Sequence, residues 1–120
     1  MSIDKTVVII PTYNEIANIE KMLTTLDNLY PSLNILIIDD GSPDGTAQVV
    51  KDFKEKKSNL FLMERTGKLG LGTAYIKGFK WALENDYDAV ITMDCDFSHE
   101  PEAIAQFVEK LQSSDLVIGS

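Results

Sequence analysis

Thr6-Val7-Val8-Ile9-Ile10, followed at once by Pro11-Thr12-Tyr13-Asn14-Glu15, is a β-branched run without polar alternation. A strand that is apolar at successive positions has both faces covered, which is the condition of a parallel sheet lying between two layers of helix. Short runs of the same kind recur at Ile35 to Ile38, Leu60 to Met63, Ala89 to Met93 and Leu116 to Ile118, with helix-length segments between them. This βαβ rhythm predicts an α/β fold with a doubly wound, mostly parallel sheet and helices on both faces.

The intervening segments carry helix signals. From about Glu15 to Leu29, Ile19, Met22, Leu23 and Leu26 make an apolar stripe, and Thr12 with Glu15 has capping-box spacing. Ser42-Pro43 reads as a cap followed by a first turn, opening a second helix through Val49, Val50 and Phe53. A third helix, Gly72 to Glu84, is expected to bury Tyr75, Ile76, Phe79 and Leu83. Pro101 is expected to start a fourth, with Ile104, Phe107, Val108 and Leu111 at helical spacing. No repeat, linker or low-complexity tract interrupts the pattern.

The 120 residues are enough for one domain with a real core. Nineteen acidic residues against 11 basic give a net charge of -8, which disfavours nucleic acid and anionic membrane surfaces as primary partners. No apolar stretch reaches transmembrane length, so a cytoplasmic location is expected. Cys95 is the single cysteine and has no internal disulfide partner; it is read as a packing residue.

In open parallel sheets ligands bind beyond the carboxyl ends of the strands, so the loops after the strands hold the chemistry. The first, Pro11 to Glu15, has no glycine and lacks the dinucleotide fingerprint, which demotes NAD. Capping-box duty alone would explain Glu15. In the second, Asp39-Asp40-Gly41-Ser42-Pro43-Asp44-Gly45-Thr46, turn and cap chemistry explains the glycines, Ser42 and Pro43 but leaves Asp39 and Asp40 free for a ribose hydroxyl or a base N–H. The third loop sets Arg65 and Lys68 among Gly67, Gly70 and Gly72 ahead of a helix, a pattern suited to phosphate. Solvated flexible charges are the plainer reading of it. The fourth, Met93-Asp94-Cys95-Asp96-Phe97-Ser98-His99, holds an Asp-x-Asp pair. Such carboxylates repel unless a cation joins them, and Mg2+ or Mn2+ completed by substrate phosphates meets that need. An ordinary acidic loop closing a buried strand is the competing explanation. His99, the sole histidine, stands outside the catalytic set.

Taken in chain order, Pro-Thr-Tyr-Asn-Glu, Asp-Asp-Gly-Ser-x-Asp-Gly-Thr, Arg-x-x-Lys-x-Gly-Leu-Gly-x-Ala-Tyr and Met-Asp-x-Asp-x-Ser-His resemble the inverting GT-A glycosyltransferases of family 2. Within them, the Lys68 to Tyr75 stretch is most similar to the polyprenyl-phosphate (dolichyl-phosphate) mannosyltransferases. The resemblance runs from Val7 to Ser120 and implies the following roles. Pro11, Tyr13, Glu15 and Asp40 would surround the nucleoside of a nucleotide sugar, with Asp39 sharing that work, while Lys68 and Gly70 flank the donor pocket. Asp94 and Asp96 would hold Mg2+ or Mn2+ against the diphosphate, with Ser98 a weaker ligand where some relatives have glutamine. Asp96, nearest the sugar, would be the catalytic residue. The implied reaction moves a hexose, mannose from GDP-mannose in the first instance, to a polyprenyl phosphate at a membrane surface. That acceptor is already anionic, so a strong general base is not required, which suits a chain with one histidine. Relatives continue past Ser120 with the acceptor side. Residues 1–120 are therefore expected to be the nucleotide-sugar-binding part of a single truncated GT-A domain, with the acceptor half absent and activity of this part in doubt. Apolar surface left open is expected to favour a homo-oligomer of the fragment, and the full-length protein is expected to lie peripheral to the cytoplasmic membrane.

Three rival expectations stand beside this one. A UDP-glucose-dependent family 2 enzyme with another acceptor would use the same carboxylates. A phospho-acceptor receiver domain has similar length and acidic strand ends, but carries its acidic pair after the first strand, where this chain has Pro11-Thr12-Tyr13. The last rival is a nucleotide-binding fragment without catalysis.

Overall fold

A computed structural model of the chain describes residues 5–66, 71–93 and 118–119. Five parallel strands, β1 (Thr6–Thr12), β2 (Asn34–Asp39), β3 (Leu60–Glu64), β4 (Ala89–Thr92) and β5 (Ile118–Gly119), form one sheet in the order β3-β2-β1-β4-β5. Between them run α1 (Ile16–Leu29), α2 (Thr46–Lys54) and α3 (Leu71–Glu84). The chain winds outward from β1 to β3, then crosses back through α3 to lay β4 on the other side of β1. A receiver domain of the flavodoxin-like type is instead ordered 2-1-3-4-5. The expected fourth helix from Pro101, and Leu116 and Val117 of the expected last strand, lie outside the described residues.

The unbroken apolar runs are explained by the two layers they serve. Val8, Ile10, Ile35, Ile37 and Ile91 point to one face, where Ile19, Met22, Leu23 and Leu26 of α1 and Val50 of α2 close over them. Their neighbours in sequence, Val7, Ile9, Leu36, Ile38 and Val90, point to the other face, against Ala74 and Ala82 of α3. The α1 stripe is the one the sequence predicts, all four residues being buried.

The α3 stripe is not. Ile76 is 55% and Leu83 67% exposed, whereas Tyr75 and Phe79 are half-buried and pack on the core as expected. The buried line is Ala74, Gly78 and Ala82, spaced by one helical turn each. Small residues won because they bring the helix axis close to the sheet. A Cβ built on Gly78 would lie 2.6 Å from Ile9 Cδ1, 2.9 Å from Ile9 Cγ2 and 3.2 Å from Ile38 Cδ1. Overpacking of this kind costs about 1–3 kcal/mol, against roughly 1 kcal/mol that alanine gains over glycine in a helix. Gly78→Ala is therefore expected to lower stability by up to about 2 kcal/mol. Gly72→Ala, where a Cβ meets nothing within 4 Å, should be neutral or stabilising. Urea denaturation of the two variants checks the contrast; equal effects would mean that Gly78 does not set the helix-to-sheet distance.

One buried charge serves the architecture. Lys57 is 6% exposed, and its Nζ donates to Asp27 Oδ1 at 2.9 Å and to the Pro31 carbonyl at 3.1 Å, tying the end of α1 to the turn before β3.

Candidate functional site

Since every strand runs the same way, the loops that follow β1, β2, β3 and β4 leave from one edge of the sheet. The winding reverses between β1 and β4, and the crevice at such a switch point is where ligands of open α/β sheets bind. Met93 N–H still donates to the Ile9 carbonyl at 3.1 Å, so the sequence passes directly from this edge into the Asp-x-Asp segment. Asp94, Asp96 and Ser98 themselves lie outside the described residues, as do Lys68 and Gly70. The same holds for Cys95 and His99.

Pro11, Tyr13, Glu15, Asp39 and Asp40 are all described, and the fold brings them together on this edge. Asp39 is 1% exposed and is held from three directions. Oδ1 accepts from the Thr12 hydroxyl at 2.7 Å and from the Ser42 hydroxyl at 2.6 Å, and Oδ2 accepts from Ser42 N–H at 2.9 Å. This carboxylate joins the end of β1 to the loop after β2. Asp40, 6% exposed, faces Arg65 in a fork: Nε donates to Oδ1 at 2.6 Å and a terminal guanidinium nitrogen to Oδ2 at 2.8 Å. The other terminal nitrogen donates to Thr73 Oγ1 at 2.9 Å, in the first turn of α3. The backbone repeats the link, with Asp40 N–H on the Thr12 carbonyl at 3.0 Å and Arg65 N–H on the Asp39 carbonyl at 2.8 Å. Arg65, read from its glycine-rich loop either as a phosphate ligand or as a solvated flexible charge, is buried and gives its guanidinium to Asp40 and Thr73.

The capping box expected from Thr12 and Glu15 does not form either. Thr12 is the last residue of β1 and turns its hydroxyl to Asp39, while Glu15 Oε2 accepts from Asn18 Nδ2 at 3.1 Å. The start of α1 is capped from the neighbouring loop. Ile16 N–H donates to Asp44 Oδ2 at 3.1 Å, and Glu15 N–H to Thr46 Oγ1 at 3.1 Å. Asp44 Oδ1 in turn accepts from Thr46 N–H at 3.0 Å and from the Thr46 hydroxyl. Nor does Ser42-Pro43 open the second helix. Ser42 receives Asn14 N–H at 2.9 Å, and α2 begins at Thr46 behind Gly45, whose φ of 93° only glycine adopts readily. The loops after β1 and β2 are therefore one hydrogen-bonded body. On it Tyr13 is 37% exposed at the surface, Glu15 is half-buried, and Pro11 is half-buried beside Ile38.

Thr12, Ser42, Asp44, Thr46 and Thr73 were not marked as site residues by sequence reasoning. Asp44 and Thr46 have the spacing of an Asx turn, which was a local signal. Their bonds to the α1 start, 28 and 31 residues away, had none.

Asp44 has its carboxyl shifted from the ordinary value. Desolvation raises its carboxyl, but the hydrogen bonds from the Thr46 hydroxyl and from the Ile16 and Thr46 N–H groups outweigh it and hold the group below the usual carboxylate value. A carboxyl depressed in the folded state stabilises the fold above its unfolded pKa, about 3.9, and that contribution is lost as pH falls through the lower folded value. Asp44→Asn is accordingly expected to flatten the acid limb of a stability profile recorded below about pH 4. Parallel acid limbs for the two chains would show that the carboxylate is not held as described.

Among the described residues no three His, Cys, Asp or Glu side chains are grouped to hold a metal. Asp39 is committed to hydroxyls and a backbone N–H, and Asp40 to Arg65. The residues expected to hold a divalent ion, Asp94, Asp96 and Ser98, lie outside the described residues; their donors are hard oxygens of the kind Mg2+ or Mn2+ takes.

The pattern of Glycosyl transferase family 2 matches residues 7–120, and the chain belongs to that family. It is 44% identical over 112 residues to the undecaprenyl-phosphate mannosyltransferase of Micrococcus luteus, which covers 93% of this chain and 46% of that protein. It is 40% identical over 118 residues to the polyprenol monophosphomannose synthase of Mycolicibacterium smegmatis, 97% of this chain and 44% of that one. Identity to the dolichol-phosphate mannosyltransferase of Pyrococcus furiosus is also 40%, over 97% of this chain and 33% of the other. A mannosyltransferase from Pyrobaculum calidifontis, solved in complex with GDP-Man and Mn2+, has the same fold, with a TM-score of 0.74 at 28% identity over 92% of this chain and 33% of that structure. The chain thus spans from a third to just under half the length of these relatives. Membership of the family sets the receiver-domain reading aside. No helix among the described residues is long and apolar enough to cross a membrane.

Proposed function

We propose that this chain is the donor-binding part of an inverting glycosyltransferase that moves mannose from GDP-mannose to a polyprenyl phosphate, with the acceptor side supplied by sequence beyond Ser120. The observation that carries the reading is the likeness, over more than nine-tenths of the chain, to proteins named as polyprenyl-phosphate mannosyltransferases, taken with a site at the switch point between β1 and β4. In this reading Pro11, Tyr13, Glu15 and Asp40 contact the nucleoside, and Asp39 shares the task by fixing the loop they stand on. Lys68 and Gly70 flank the donor pocket. Asp94 and Asp96, with Ser98 as a weaker ligand, hold Mg2+ or Mn2+, and Asp96 is the catalytic residue beside the sugar.

The chemistry asked of the chain is modest. When bound, the divalent ion neutralises charge building on the departing diphosphate. The protein's own task is to orient the nucleotide so that the sugar's reacting carbon faces an acceptor phosphate, and positioning of this kind supplies a large share of a rate enhancement. The acceptor's own negative charge makes a protein base unnecessary. A full-length protein acting on a lipid phosphate would work at the cytoplasmic membrane surface.

Calorimetric titration of the chain with GDP-mannose and UDP-glucose, each with and without Mn2+, tests the donor half. Tight binding of GDP-mannose that needs the metal is the expected result. Preference for UDP-glucose overturns the donor assignment, and binding indifferent to Mn2+ overturns the metal site. Mannosylation of a polyprenyl phosphate by the full-length protein tests the acceptor half.

A further inference from the structure

We infer that Asp44 is a positioning residue for the nucleotide, one that acts on Tyr13 and Glu15 from the neighbouring loop; the inference rests on the donor-binding reading above. The loop after β1 takes hydrogen-bond partners from the neighbouring loop. Its expected internal cap is absent, Asn14 sits at a positive φ of 56°, and the N–H groups at the entry to α1 donate outside the segment. Those groups are taken up by the loop after β2: Asn14 N–H by Ser42 Oγ, Glu15 N–H by Thr46 Oγ1, and Ile16 N–H by Asp44 Oδ2. Asp44 is the hub, because its other oxygen fixes both the N–H and the hydroxyl of Thr46, and so aims the hydroxyl oxygen at Glu15. A carboxylate suits a helix N-terminus by charge as well as by geometry. Tyr13 and Glu15 are carried on the segment this hub clamps, so their placement before a nucleotide arrives is set by a side chain some thirty residues along the chain that need not touch the ligand.

A group that only pre-places binding residues changes affinity, whereas one that only supports the fold changes how much protein is competent. Titration of the 120-residue chain with GDP-mannose and Mn2+ separates the two, because it reads the Kd and the number of sites per chain independently. Asp44→Ala is expected to weaken the Kd about tenfold, the equivalent of one charge-assisted hydrogen bond, with the site number unchanged. Thr46→Val, which keeps shape and removes the hydroxyl, should weaken it in the same direction. Asp44→Asn retains one acceptor oxygen and should recover most of the affinity, to within about threefold of the parent. Hydrogen exchange of residues 13–18 should quicken in Asp44→Ala and Thr46→Val and slow again on adding the nucleotide. Should Asp44→Ala fail to fold, Thr46→Val decides the matter by the same two numbers. Parental Kd in folded Asp44→Ala or Thr46→Val, or a reduced site number at parental Kd, overturns the inference while leaving the donor reading intact. A parent chain that binds neither GDP-mannose nor UDP-glucose overturns the donor reading, and the inference falls with it.

Discussion

Arg65→Ala is expected to be the most damaging single change to stability among the site residues. Its guanidinium and the Asp40 carboxylate are 6% and 8% exposed and meet through two hydrogen bonds. Removing the cation leaves a buried carboxylate without the partner that offsets its desolvation, and breaking a buried pair in this way costs about 3–5 kcal/mol. For a domain of this size that is a fall in Tm of roughly 10–20 °C. The pair as a whole is worth much less than its breakage, because two charges were desolvated to make it. Asp40→Leu combined with Arg65→Met should therefore recover most of the loss while abolishing any contact that Asp40 makes with a nucleoside. Thermal unfolding of the single and double variants measures this directly. A loss under about 1 kcal/mol for Arg65→Ala, the range of exposed ion pairs, would mean that Asp40 is solvated and that the Arg65 to Thr73 link is incidental.

Asp96→Ala is expected to show the reverse profile, with binding lost and stability kept. In the proposed site Asp94 and Asp96 are two like charges two residues apart in sequence, and carboxylates brought together without a cation repel. Taking one away relieves that repulsion, so the unliganded fold should change by no more than about 0.5 kcal/mol. Nucleotide-sugar binding that depends on Mn2+ should disappear, since a single remaining carboxylate and a hydroxyl give the ion too few protein donors. Calorimetry with and without Mn2+ measures the first effect, and urea unfolding without metal the second. Metal-dependent binding that survives the substitution would remove Asp96 from the site. Asp39→Ala is the instructive comparison: its carboxylate takes three hydrogen bonds in a buried position, so its loss should cost stability.

By itself the sequence carried the sheet, both of its faces and the edge at which to look for function. An unbroken run such as Thr6 to Ile10 is compatible only with burial on two sides, and parallel connection then puts the loops that follow the strands on one edge. Those are statements about period and chain direction, which local order contains. The α1 stripe was legible for the same reason. Tertiary structure alone decided how each polar side chain is used. Arg65 in a glycine-rich loop, Thr12 three residues before Glu15, and Ser42 ahead of Pro43 each had a plausible local role, yet Arg65 turned to Thr73 and Asp40, 8 and 25 positions away, Thr12 to Asp39, 27 away, and Ser42 to Asn14, 28 away, as well as to Asp39. A hydrogen bond is satisfied by whatever acceptor the fold brings within about 3 Å, and sequence spacing does not report that distance. The α3 face was decided likewise. Tyr75, Ile76, Phe79 and Leu83 and the line Ala74, Gly78, Ala82 are both helical stripes, and hydrophobicity ranks the larger residues first. Which stripe faces inward depends on how near the helix must come to Ile9 and Ile38, and that separation exists only once the sheet has formed.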